Sequence, residues 1–201
     1  MKIIVWNSQD KCVADYHKLV RGCDVLCLLD CGQWTVPAYA LQVQNGLYYW
    51  KDKNESSSYD VFYCSERVAF ICREGLYGGE SILYGIHSNI GSLIGIRLHN
   101  DFWLFAHHEP NLANAYHIGE FYLREISGCF RKAAFIADFE GKSYSWAQET
   151  VGKSYCIAPP EGYHPHTINY LFTIHVACTD LYLLEGYSGA SNQPTFFELN
   201  I

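Results

Sequence analysis

The feature that most constrains the fold is a series of short β-branched and aromatic runs, each closed by one polar residue. IIVW ends at Asn7, VLCLL at Asp30, FWLFA at His107 and AFIA at Asp138. Runs of this length, bounded by turn residues, read as buried strands. Further runs lie at 47–51, 59–64, 68–72, 82–87, 93–98, 168–173, 176–185 and 195–199. Asn100-Asp101 reads as the hairpin turn feeding the strand at 102–107. Two stretches have helical spacing. Residues 11–21 place Val13, Tyr16, Leu19 and Val20 on one face before Gly22. Residues 114–127 place Ile118, Phe121, Tyr122 and Ile126 on one stripe. GLYGG at 75–79 lacks the strand-to-helix context of a phosphate loop and reads as a turn. Strands outnumber helices, which predicts an α/β sandwich of two sheets with helices outside, in one domain over residues 1–201.

Of the 201 residues 49% are hydrophobic, enough for a substantial core, and the formal charge of −7 excludes a broad basic face. The N-terminal run is too short for a signal-peptide core, and no apolar run is long enough to span a membrane. The expectation is a cytoplasmic chain, or a secreted one supplied without its leader. Nine cysteines are scattered without a C-x-x-C pair, which favours reduced, buried thiols over a disulfide framework. Cys23, Cys27 and Cys31 share parity, so one strand would carry them on one face as core thiols, too far apart for a zinc site. Asp30, at the end of a buried strand, is left as the residue with a functional position.

The ordered motifs VWN at 5–7, GCDVLCLLDCG at 22–32, SLIGIRLHNDFWLFAHH at 92–108, FIADFE at 135–140, INYLF at 168–172 and GASNQP at 189–194 resemble the endonuclease/exonuclease/phosphatase superfamily. Within it, the block at 92–108 looks most like the catalytic B subunits of cytolethal distending toxins. The resemblance implies a deoxyribonuclease I-like, four-layer α/β sandwich with a cleft at one edge of two packed mixed sheets. It implies hydrolysis of phosphodiesters or phosphomonoesters with Mg²⁺ or Mn²⁺, on nucleic acid or a phosphorylated small substrate. A hard cation takes oxygen ligands and neutralises phosphoryl charge.

Carried over by position, Asp30 and Asn192 would be metal ligands. His107, Asp138 and Gln193 would occupy the catalytic positions. Asn7, Glu140, Arg67 and Asn169 would face the phosphate. Several of these depart from the family pattern. Asp30 stands for a Glu, Glu140 for an Asn, and Asn169 for an Asp. Asn192-Gln193 stand for Asp-His, and Gly91 for an arginine. Gln cannot exchange a proton near neutral pH. Two readings follow: a hydrolase with a rearranged site, or a catalytically inactive relative acting as a binding or assembly module with a protein partner. His164 and His166 read as a solvated loop, with His166 able to lean toward Asn169, and Glu109 reads as a surface charge.

Overall fold

The computed structural model describes residues 1–7, 16–31, 40–44, 46–51, 57–64, 67–84, 92–108, 112–139, 153–155, 168–185 and 193–201. In chain order the described elements are β1 (Lys2–Asn7), α1 (Tyr16–Arg21), β2 (Val25–Leu29), β3 (Leu41–Gln44), β4 (Leu47–Lys51), β5 (Ser58–Cys64), β6 (Val68–Arg73), β7 (Tyr77–Tyr84), β8 (Ser92–Leu98), β9 (Phe102–His108), α2 (Leu112–Cys129), β10 (Ala133–Phe139), β11 (Lys153–Tyr155), β12 (Ile168–Ile174), β13 (Ala177–Leu183) and β14 (Thr195–Asn200).

An apolar run buried at every position must be covered on both faces, and β2 is buried at all five. It lies inside an eight-stranded sheet of order β13-β14-β1-β2-β6-β5-β4-β3. The second sheet has six strands in the order β11-β12-β10-β9-β8-β7. Each sheet is mixed, since β1 and β2 run parallel in the first and β9 and β10 in the second. Between the sheets lies an aliphatic core that includes Ile3, Val5, Cys27, Leu29, Leu104, Ala106, Ile136 and Leu171. Ile4, Trp6, Leu26 and Leu28 face outward and pack with Leu19 and Val20 of α1. On the outer face of the second sheet, Phe105, Ala133 and Phe135 pack with Leu123 and Ile126 of α2. Helix, sheet, sheet and helix therefore stack as four layers, the expected α/β sandwich.

The hairpin between β8 and β9 turns where expected, with Asn100 and Asp101 at φ of 64° and 57°. That left-handed pair is the turn geometry Asn and Asp tolerate best. Four local expectations differ from the structure. Residues 77–79 belong to β7 rather than to a turn, because a register irregularity between Tyr77 and Ser81 absorbs the glycines into the strand. β3 and β11, both short, carry too little apolar periodicity to read as strands. The buried stripe of α2 runs through Leu123 and Ile126, while Phe121 is 59% exposed. Cys27 faces the inter-sheet core, but Cys23 and Cys31 lie in the outer cluster. Only Cys27 of the three is inside β2, so strand parity does not extend to the other two. Of the described cysteines, Cys23, Cys72 and Cys129 are free thiols. Of the N-terminal helical stretch, residues 11–15 lie outside the described residues.

Candidate functional site

Two acids flank β2. At its start Asp24 is held by Arg73, with 3.0 Å between Nη1 and Oδ1, and accepts the Lys2 amide at 2.8 Å. That end is structural. At the other end Asp30 has φ of 47°, a left-handed conformation. Had β2 continued, Asp30 would share the outward parity of Leu26 and Leu28. The left-handed residue breaks that alternation, and the carboxylate instead meets the facing sheet, with Oδ1 3.5 Å from His108 Nε2. The His108 side chain is 6% exposed and that of Asp30 34%. A carboxylate within 3.5 Å of a buried imidazole can orient the ring, an arrangement suited to acid/base chemistry.

The adjacent histidines divide by strand pleat. Phe102, Leu104 and Ala106 face the inter-sheet core, and His108 continues that face. Trp103 and Phe105 face α2, and His107 continues theirs. The His107 ring packs 5.1 Å from Tyr122 and 6.3 Å from Phe135. The structure thus places His107 against the outer aromatic layer, opposite the side expected for it. The signal was present in the sequence, because the inter-sheet face of β9 is the one without Trp103 and Phe105.

Further residues line the same rim. Asn7 ends β1, is 1% exposed, and shares the inward parity of Ile3 and Val5. Register pairs Asn7 with Leu29, setting it beside Asp30 along the sheet. Leu29 pairs with Val68, so Arg67, half-buried, precedes β6 at the position next to Asp30. Val5 pairs with Thr195, so Gln193, also half-buried, falls alongside Asn7. From the second sheet, Asn169 is 5% exposed and its Nδ2 donates to Val5 O at 3.5 Å and to Thr195 Oγ1 at 3.3 Å. Val5 O can only accept, which fixes the amide orientation. Asn169 Oδ1 is then a buried acceptor that no described donor reaches. Asp138 stands in register opposite Asn169 on β10. Nothing is described of its side chain, and Glu140, Asn192, Glu109, His164, His166 and Gly91 lie outside the described residues.

Asp30, His108, Asn7 and Asn169 therefore gather where two sheet rims meet, with Arg67, Gln193 and Asp138 on adjoining register positions. Among the described residues no group of three His, Cys, Asp or Glu side chains gathers for a metal ion. The available donors are one carboxylate and the amide oxygens of Asn7 and Asn169. Oxygen donors, including one buried and orphaned, suit a hard divalent cation rather than a soft one.

No protein-family model matches the sequence, and no curated protein matches it. Solved structures do match the fold. A D. rerio TDP2 humanized by 14 mutations superposes with a TM-score of 0.60 at 12% identity, covering 100% of this chain and 99% of that one. The 3'-5' exonuclease NExo from Neisseria meningitidis superposes at 0.59 with 14% identity, covering 100% of both chains. An endonuclease/exonuclease/phosphatase from Beutenbergia cavernae superposes at 0.57 with 11% identity, covering 100% of this chain and 71% of that one. The chain has the endonuclease/exonuclease/phosphatase fold. At these identities the likeness is one of architecture, and it agrees with the two mixed sheets and flanking helices. No described helix is long and apolar enough to cross a membrane.

Proposed function

We propose that the protein is a divalent-metal-dependent phosphodiesterase or phosphatase, related to cytolethal distending toxin catalytic subunits and working through a rearranged site. The carrying observation is the Asp30–His108 pair, a carboxylate on one sheet rim set against a buried imidazole on the other. His108, rather than His107, serves as the acid/base group, oriented by Asp30. Arg67 makes no ion pair with a described residue and is half-buried beside Asp30, so it supplies charge to a phosphate. Asn7 and Asn169 offer amides to the phosphate or the ion. Mg²⁺ or Mn²⁺, which Asp30 with Asn7 and Asn169 would hold, would neutralise phosphoryl charge. DNA is the first substrate to test, since one TDP2 structure holds a single-strand DNA product and a NExo structure a product DNA hairpin. The chain's charge of −7 favours local recognition of one phosphate over a long backbone footprint. The site is compatible with action inside the producing cell or as a secreted effector.

The test is plasmid nicking and phosphomonoester release with Mg²⁺ or Mn²⁺. His108→Ala is expected to lower turnover about 10²–10⁴-fold with the fold retained. Asp30→Asn, which keeps the left-handed backbone accessible, should fall comparably. Full turnover in His108→Ala refutes the assignment. One observation favours a second reading: Gln193 sits beside Asn7 where the resemblance implies a proton-exchanging His. In that reading the chain is an inactive module, no metal supports turnover, and a specific protein partner co-purifies.

A further inference from the structure

On the outer face of the second sheet, the face opposite the one His108 takes, a cavity of about 410 Å³ opens beside α2. Phe105, Phe121, Tyr122 and Phe130 line it, together with aliphatic side chains, Glu125 and Cys129. It exists because α2 places Leu123 and Ile126 on the sheet and leaves Phe121 standing out at 59% exposure. Its size is that of a small-molecule pocket, and four aromatic rings with few polar groups fit an apolar occupant. Two features then choose the occupant's charge. Among the described lining residues Glu125 is the only charged side chain, and it is exposed. Aromatic faces attract a cation and do not attract an anion. We propose that this cavity binds an apolar small molecule carrying a single ammonium group, with its hydrocarbon body among the rings and its cation toward Glu125. A fatty acid of equal size would bring its carboxylate against Glu125 and is disfavoured. The inference is independent of the reading of the catalytic rim.

Three probes of nearly equal size test it by isothermal titration at low salt: 4-phenylbutylamine, 4-phenylbutanol and 4-phenylbutyrate. The expected order of affinity is amine, alcohol, acid, with the amine at least about 5-fold above the acid. Glu125→Gln should cut that ratio by about 2- to 5-fold and leave the alcohol unchanged. Cys129 is exposed, so Cys129→Trp adds bulk at the mouth without entering packed interior, and it should weaken all three probes at least 10-fold. Saturable binding that ranks the acid equal to the amine overturns the proposal. So does amine affinity unaffected by both Glu125→Gln and Cys129→Trp, and so does the absence of saturable binding by any probe.

Discussion

Gly95 on β8 faces Phe105 on β9, and the structure sets the cost of giving it a side chain. A Cβ at Gly95 would lie 2.5 Å from Phe105 Cδ1 and closer still to Cε1. That is about 1 Å inside ordinary carbon–carbon contact at roughly 3.5–4.0 Å. Phe130 at 4.9 Å and Trp103 at 5.7 Å block the ring on two sides, so it can yield only toward the outer cavity that it lines, at the expense of that packing. Overpacking of this kind costs about 1–3 kcal/mol, while Ala in a strand regains roughly 0.5–1 kcal/mol over Gly. The difference runs from about 0 to 2.5 kcal/mol, and with the Cβ this deep inside contact a net loss of about 1–2 kcal/mol is expected for Gly95→Ala. In a chain of this size that lowers Tm by about 2–8 °C. Guanidinium and thermal unfolding followed by circular dichroism measure it. The decisive comparison is the same substitution in a Phe105→Leu background. There the clash is gone, and Ala at position 95 should be neutral or mildly stabilising. An equal cost in both backgrounds, or none in the native one, refutes the contact as the cause.

Asn169→Asp would restore the acid that the resemblance implies, yet it sets carboxylate oxygen against Val5 O. It should lower stability at pH 7 by about 1–3 kcal/mol, with the loss shrinking as pH falls and the carboxyl protonates, in urea titrations at pH 7 and pH 4. Cys23 is buried and its pKa is pushed up to about 12, first by desolvation and then by Asp24; burial also raises Cys72. The unfolded Cys23 thiol ionises near 9.0, so its contribution is intact below that pH and is lost as pH rises from there toward about 12, by about 1.4 kcal/mol per pH unit. Cys23→Ala should flatten that alkaline decline in pH-dependent denaturation.

The strands were legible wherever burial was two-sided. VLCLL and AFIAD need no context to be read, since apolar side chains facing both ways have no other stable arrangement. Edges were harder. β3 exposes Leu41 and Val43 at 69% and 64%, so its existence depends on the hydrogen bonds of β4 rather than on its own pattern. On α2 the expected stripe holds at Tyr122 and Ile126 and fails at Phe121, which is apolar but lies over a cavity instead of a core. Asn7 and Asp30 stand at strand ends as the apolar runs suggested, and Asn169, read inside its run, reaches Val5 from the facing sheet. Which of two adjacent histidines enters it was a matter of pleat phase, and the motif spacing pointed to the other one. The left-handed turn at Asp30 had no signal in sequence, because Asp occurs there without the glycine that usually marks such a position.

The back-to-back histidines of β9 make chemistry depend on counting. One ring looks into the rim and its neighbour into the aromatic wall, and nothing but alternation separates them. Inserting a single residue between Phe102 and Ala106 would carry His107 into the place of His108, facing Asp30, and push His108 one position beyond it. The Gly95–Phe105 fit sits midway along that strand pair and resists such slippage. An insertion within that apolar stretch acts as a mechanical selector for which imidazole Asp30 meets.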